Sequence, residues 1–597
     1  MESGVALFYL GSLGYYLYVR IAKTLDMPYK WYSILILVVE CIGMTSVVPY
    51  ALLNVVHTHP SGSGGLPADD GLMEPDKRFT VRVMVPCYKE PLEIVAATVD
   101  AALQADLPPG VARILYLCDD GADPAKRAWL EEKWGNTGAA IYVTGRTRAK
   151  GEINGKSANL NNCLTKVIYP DLAARPQDIP ASEVLVVFDA DMQAKRSFFC
   201  KILEVMVDDA VALCLTPQAF SNVHKGTDIW NNTNQQFWEY VLPGCDAWGY
   251  VACTGTNFCL RARALGAVGW FPTYCITEDY ALSMELKAAG FKGRYMAEYL
   301  AVGEAPEELR NILRQRSRWT KGHMQVFFSL KNPLLRWRLP FVSKLLYTNG
   351  TWSYFTTVLT SWTFQLVPFM SLMFDLQPVK FSREFALAAT LYLAANFLVQ
   401  SYFHVADHMR GIWMAQLSNQ LLCFTYFKAI LNTLLAKVHI KKKAGFKPTD
   451  KTQAPAGGGP GGPGFPVQAA FMARLTSLTR RFNQERLPQL YEAPIVVQPA
   501  GKQKKEDACT FEKLYMGACL SVATNTLILA LRQVFVAKTL TAWIALPALW
   551  AVYNAVPSIL FYTYLMGSTR TLQIMAFWMQ AVNLLAGAGA VVALFFI

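Results

Sequence analysis

Apolar residues fall into two kinds of block. At 5–19 and 32–53, and again at 352–374, 384–403, 411–435, 515–536, 540–566 and 572–596, they run almost unbroken. A helix needs about 17–25 such residues to cross a bilayer, so 32–53 and most later blocks predict spans and 5–19 is marginal. Between 78 and 340 the pattern changes: short apolar runs alternate with helical segments. The runs 81–85, 114–117 and 184–188 predict buried strands, each ending where polar residues begin. In an open parallel sheet, ligands bind at the carboxyl ends of the strands, near where the strand order reverses. The chain thus predicts an α/β domain with a Rossmann-like, mostly parallel sheet, inserted in a bundle of transmembrane helices.

The block at 411–435 reads differently. It carries Gln416, Ser418, Asn419, Gln420, Lys428 and Asn432 and leads into Lys441-Lys442-Lys443. That much polar surface is costly in lipid but suits a helix lying in the interface. Parity agrees. With 78–340 cytosolic, a third consecutive crossing would send the lysine cluster outside, against the positive-inside bias. The expected count is therefore about seven spans plus interfacial helices. The N-terminus lies inside and the C-terminus outside; Lys23 and Lys30, in the first outer loop, oppose this assignment. The expected division is 1–58 (two spans), 59–77 (linker), 78–340 (cytosolic domain) and 341–410 (two spans). It continues with 411–451 (interfacial helix and loop), 452–513 (Gly/Pro-rich cytosolic insertion) and 514–597 (three spans).

Composition narrows the class. Of 597 residues, 53% are hydrophobic and 17% charged, too few charges for an all-soluble chain of this length. The net charge of +12 fits cytosolic-side Lys and Arg facing anionic headgroups. No basic-aromatic RNA motif accompanies it, so nucleic acid is not an expected partner. The 13 cysteines include no C-x-x-C pair, against a zinc ribbon, and free thiols are expected. Met1-Glu2-Ser3-Gly4 lacks the basic start of a signal peptide, so the first apolar stretch is expected to remain as an anchor.

Four motifs follow one another in the middle domain. Asp119-Asp120 follows a strand and precedes Gly121, a place suited to hydrogen-bonding a base or ribose but also to an ordinary turn. In Asp189-Ala190-Asp191, two carboxylates one residue apart point the same way from extended chain and can share a hard divalent cation with diphosphate oxygens. Lys156 is a candidate phosphate contact, with an exposed lysine as the plain alternative. Thr277-Glu278-Asp279 opens a helix expected over 280–289, with Thr277 as N-cap. Acidic residues suit a first helical turn, and Asp279 could equally be a general base. Gln315-Arg316-Ser317-Arg318-Trp319 lies on a basic helical stretch, 310–321. There Trp319 offers a flat face to a sugar ring, Arg318 a fork for diphosphate and Gln315 an amide for hydroxyls. An amphipathic helix on the membrane surface is the alternative.

Together these motifs resemble the D, D, D, Q-x-x-R-W set of processive family 2 glycosyltransferases, and most specifically cellulose synthases. The likeness extends over 238–335, including Asp246-Ala247-Trp248-Gly249 and Leu260-Arg261-Ala262-Arg263-Ala264-Leu265. Phe446-Lys447-Pro448-Thr449-Asp450-Lys451 is similar to the F-x-V-T-x-K gating loop, with Pro448 in place of valine. The resemblance implies a glycosyltransferase A-type fold and an inverting hexosyltransferase that makes a β-1,4-glucan from UDP-glucose and exports it. It implies that Tyr88 and Asp120 hold uracil, and that Glu90, Asp119, Lys156, Thr277 and Glu278 line the substrate site. Asp189 and Asp191 would hold the diphosphate and Mg²⁺ or Mn²⁺, and Asp279 would be the base. Gln315, Arg318 and Trp319 would bind diphosphate and the terminal sugar, and Phe446, Thr449 and Lys451 would form the gating loop. The implied partners are a UDP-sugar, the growing glycan and a lipid membrane, with homo-oligomers or accessory subunits left open. The plasma membrane is the expected site, the Golgi the alternative.

Two other readings compete. A chitin, hyaluronan or mannan synthase shares the chemistry, and the T-E-D pattern favours glucan. An inactive scaffold or a transporter belongs to another class. Intact carboxylates oppose the first of these, and ionisable residues lying outside the spans oppose the second.

Overall fold

The computed structural model describes residues 2–25, 28–53, 79–223, 228–403, 410–438, 510–537 and 542–565. The expected linker at 59–77, the Phe446–Lys451 segment, nearly all of the 452–513 insertion and the last expected span, 572–596, lie outside them.

Two helices, α1 (Glu2–Lys23) and α2 (Lys30–Leu53), open the chain. The middle domain follows with β1 (Thr80–Cys87), α3 (Leu92–Gln104), β2 (Ala112–Asp119), α4 (Pro124–Trp134), β3 (Ala140–Val143) and α5 (Gly155–Cys163). Next come β4 (Glu183–Val187), β5 (Gln193–Ala194), α6 (Phe198–Met206), β6 (Val211–Leu215), β7 (Gln218–Phe220) and α7 (Leu242–Ala247). The domain ends with β8 (Phe258–Arg261), α8 (Ala262–Ala267), α9 (Glu278–Ala288), β9 (Lys292–Tyr295), β10 (Ala301–Gly303) and α10 (Leu309–Phe327). The remaining helices are α11 (Phe341–Phe374), α12 (Arg383–Phe403), α13 (Arg410–Lys437), α14 (Thr510–Ala537) and α15 (Ala542–Leu565).

Seven strands form one sheet in the order β3-β2-β1-β4-β8-β6-β9, and β5-β10-β7 form a second, small sheet. The three expected strands are β1, β2 and β4, paired in parallel with Val83 between Leu115 and Val186. Their near-continuous apolar runs bury both faces. Val81, Val83 and Val85 pack with Val95, Phe198 and Ile202 on one side, and Met84, Leu185 and Val187 with Leu160, Leu282 and Leu286 on the other. The sheet is mixed: β8 runs antiparallel to both β4 and β6. The chain steps outward from β1 to β2 and β3, then returns to place β4 on the opposite side of β1. That reversal is the switch point where an open sheet leaves a crevice. Because β8 is reversed, its leading residues meet the same end of the sheet as the tail of β4, with Val187 opposite Phe258.

Among the described residues, three helices are long and apolar enough to cross a membrane: Gly4–Lys23, Phe341–Phe374 and Glu512–Leu531. Helix α11 begins at Phe341, well before the apolar block expected from 352. Its first turns join the domain, where Leu346 and Tyr347 pack with Tyr250, Tyr280 and Met284. At about 1.5 Å per residue, a helix of 34 residues exceeds a hydrocarbon core of about 30 Å, leaving length for a stalk that joins the domain. Helix α13 packs Leu417, Leu421 and Leu422 against Ile312 and Leu313 of α10, in a cluster that also holds Met516 and Phe561.

Candidate active site

The motifs converge at the switch point. Residues 88–90 leave β1, Asp119-Asp120 ends β2, and Asp189–Asp191 follows β4. The lead-in to β8 supplies Gly255, Thr256 and Asn257; the Asp189 N–H donates to Thr256 Oγ1 (2.9 Å) and the Asn257 N–H to the Val187 carbonyl (3.0 Å).

The first aspartate pair divides its labour. Asp119 is buried and occupied by the fold: Oδ1 accepts from Gly121 N (2.8 Å), and Oδ2 from Asp123 N (2.9 Å) and the Tyr142 hydroxyl (2.7 Å). Asp120 instead meets two guanidinium groups, Arg146 (2.6 Å) and Arg148 (2.9 Å). The Arg148 guanidinium also lies over the Tyr88 ring, 4.1 Å from its centroid. Glu90 accepts from the backbone N–H groups of Tyr88 (2.6 Å) and Lys89 (3.0 Å), which fixes the turn carrying Tyr88.

Lys156 is not an exposed lysine. It sits in the first turn of α5, and its Nζ donates to Asp189 Oδ1 (2.5 Å) and the Gly255 carbonyl (2.6 Å), with Glu278 Oε1 at 3.9 Å. Burial works against its charge, yet Asp189 and Glu278 hold the ammonium above its ordinary range. Asn154, the N-cap of α5, accepts from Ser157 N and donates to Glu278 Oε2 (2.6 Å) and the carbonyls of Cys275 and Ile276. One amide therefore joins the lysine turn to the Thr277-Glu278-Asp279 motif.

Helix α9 starts at Glu278 with Thr277 in the N-cap position, but the Thr277 side chain makes no capping hydrogen bond. Asp279 is half-buried, and Gly255 (φ +88°) gives it room: a Cβ there would lie 2.9 Å from Asp279 Oδ2. Burial and the neighbouring Glu278 push the Asp279 carboxyl up to about 7, against a pull from Lys156. A carboxylate poised near neutrality suits proton abstraction.

Helix α10 covers this centre. Gln315, Arg318, Trp319 and Gly322 share a helical face, and Gln325 Oε1 accepts from Ile276 N (2.8 Å) to fasten the helix to the motif. Burial lowers the Arg318 pKa, while Asp189, Glu278 and Asp279 oppose that shift by drawing on its charge. Trp319 and Gln315 are half-buried. Sequence reasoning missed Asn154, Arg146, Arg148 and Gln325. An Asn ahead of a helix is a readable cap signal; the other three carried none.

A divalent cation would find hard oxygen donors in Asp189, whose side chain is 42% exposed, and in the more buried Asp191. Among the described residues no group of three or more acidic, His or Cys side chains could hold a metal by itself. Two carboxylates fit an ion that completes its shell with water and phosphate oxygens, as Mg²⁺ commonly does.

Residues 184–400 match the family described as glycosyl transferase family group 2. The chain is 26% identical over 351 residues to the cellulose synthase catalytic subunit [UDP-forming] of Komagataeibacter sucrofermentans, covering 58% of this chain and 43% of that one. It is 30% identical over 292 residues to cellulose synthase 1 of Komagataeibacter xylinus, covering 48% of this chain and 17% of that one. The chain thus spans less than half the length of these relatives. Among solved structures, the mannosyltransferase PcManGT of Pyrobaculum calidifontis, in complex with GDP-Man and Mn²⁺, matches with a TM-score of 0.43 and 15% identity. That match covers 67% of this chain and 99% of that one. The match from β4 to α12 thus makes 184–400 a family 2 glycosyltransferase segment, and with the four motifs gathered at one crevice the chain is similar to cellulose synthase catalytic subunits.

Proposed function

We propose that this chain is a membrane-embedded, inverting hexosyltransferase that polymerises UDP-glucose into a β-1,4-glucan and passes the product across the membrane. The observation that carries the reading is Asp279, held near neutrality beside Lys156 and Arg318 at the switch point. Tyr88 and Asp120 would hold the uracil once Arg148 moves off the tyrosine face. Lys156 and Arg318 would meet the diphosphate. Mg²⁺ or Mn²⁺ on Asp189 and Asp191 would offset the charge that develops on the leaving diphosphate. Asp279 takes the proton from the acceptor hydroxyl, whose oxygen attacks the anomeric carbon while the sugar–phosphate bond breaks on the opposite face. One base and no enzyme nucleophile suffice for such an inversion. Trp319 would stack the terminal sugar, and Gln315 would bond its hydroxyls.

Phe446, Thr449 and Lys451 would close over the donor, and about seven spans would form the export path, with the plasma membrane as the working site. Chitin, hyaluronan or mannan remain alternative products of the same chemistry. Incubating the purified full chain with Mg²⁺ or Mn²⁺ and a panel of UDP- and GDP-sugars, then digesting products with linkage-specific hydrolases, tests the reading. A β-1,4-glucanase-sensitive polymer from UDP-glucose is expected; polymer from another donor, or none, would overturn it.

A further inference from the structure

Arg316 points away from the carboxylates that Arg318 faces, as residues two apart on a helix must. Its guanidinium lies over the Trp319 ring, 4.5 Å from the centroid, at the i,i+3 spacing. Nη2 donates to the carbonyls of Trp230 (3.0 Å) and Asn231 (3.1 Å) and to Asn232 Oδ1 (3.3 Å), and the residue is only 9% exposed. The loop it grips is itself built rigidly. Asp228 accepts from Asn232 N (2.8 Å), Thr233 N (2.8 Å) and Thr233 Oγ1 (2.9 Å), while Asn231 and Asn234 take left-handed backbone that asparagine tolerates.

From this loop the connection runs to α13 and α15. The Trp230 ring meets Phe561 of α15 edge-on at 6.2 Å. Ile229 and Trp230 share a buried cluster with Leu417 and Leu421 of α13. Arg316 is also close enough for its charge to act on the Tyr426 hydroxyl of α13.

We propose that Arg316 is a positioning residue that holds the Trp319 indole in one plane and ties it, through residues 228–234, to α13 and α15. It thereby keeps the acceptor platform in register with the helices that pack against α10. The inference rests on the reading of Trp319 as the face that stacks the terminal sugar.

The test uses the full-length protein in nanodiscs, with Arg316→Met, Arg316→Lys, Trp319→Ala and the Arg316→Met/Trp319→Ala double variant. With UDP-glucose, Arg316→Met should lower kcat about tenfold while donor KM stays within about twofold, the mark of an interaction not used in donor binding. Arg316→Lys keeps the charge but not the fork and should recover part of the rate. The double variant should be no slower than Trp319→Ala, because residues acting as one unit lose their effect only once. Independently of turnover, the protein is labelled with 5-fluorotryptophan, and the Trp319 signal among its 15 tryptophans is assigned by its loss in Trp319→Phe. That signal should shift or broaden in Arg316→Met, and in Arg316→Lys should the methionine variant fail to fold. An unmoved Trp319 signal, or losses that multiply in the double variant, would overturn the proposal. Should the wild type elongate nothing from any donor, the synthase reading fails, and the fluorine signal still decides whether Arg316 holds Trp319.

Discussion

Gly322 of α10 lies directly on Thr277: a Cβ at residue 322 would sit 2.5 Å from Thr277 Cγ2 and 2.7 Å from both the Thr277 backbone nitrogen and Oγ1. Part of that surface is backbone at the start of α9, which cannot rotate away. Gly322→Ala should therefore lift α10 from the Thr277-Glu278-Asp279 motif and carry Arg318 and Trp319 with it. Overpacking of this kind costs about 1–3 kcal/mol, read as a lower melting temperature in detergent. Turnover should fall more than donor affinity, since both helices contribute to the reacting geometry. An alanine variant with wild-type rate and stability would show that the contact is not a constraint.

The charge of Lys156 beside Asp279 gives a pH prediction. Asp279 must be ionised to accept a proton, and its carboxyl is pushed up to about 7, so the rate should rise with pH through that region and level off above it. Lys156 pulls that value down. Lys156→Met removes the pull, so the rising limb should move to higher pH, with a lower plateau because the phosphate contact proposed for Lys156 is lost as well. Initial rates from pH 5.5 to 9 measure both; a limb that stays in place would separate Lys156 from the base.

Much of this was legible in the sequence where the signal is local. Strands β1, β2 and β4 announce themselves as apolar runs ending in polar residues, because strands covered on both faces carry no alternation. The mixed character of the sheet was not legible, since β8 is only four residues, Phe258–Arg261. The stalk of α11 was hidden for a different reason. Lys344, Thr348 and Asn349 break its apolar pattern, yet the turn is held by a hydrogen bond from the Tyr280 hydroxyl to the Tyr347 carbonyl and by Asn349 Nδ2 donating to the Ser46 carbonyl (3.1 Å). Asn154 and Gln325 belong to the site only through partners 121 and 49 residues away, which no window on the chain can see.

Phe446 and Lys451 fall outside the described residues, and their expected role rests on the resemblance of Phe446–Lys451 to a gating loop. Replacing either by alanine should raise donor KM several-fold and leave the melting temperature within a degree or two, because a closing loop acts on substrate retention rather than on the core. Steady-state kinetics with UDP-glucose and thermal unfolding of the same samples check this together. A loss of stability without a change in KM would make the segment structural.

Asp279→Asn separates chemistry from stability most sharply. Without a carboxylate to take the acceptor proton, polymer formation should cease while UDP-sugar binding persists; residual turnover with lost binding would remove Asp279 from the base role. Stability should move the other way. The folded carboxyl titrates near 7 against an ordinary 3.8, so between those values the folded chain holds a proton that the unfolded chain has released. Stability then falls as pH rises through that window, and the loss is complete above about pH 7. A difference of that size corresponds to a stability cost of about 4 kcal/mol at pH 8. Asparagine has no charge to bury, so the variant should melt several degrees above wild type at pH 8, with the gap narrowing at pH 5. Equal melting temperatures at pH 8 would show that Asp279 carries no burial penalty, and the case for a base tuned to neutrality would fall with it.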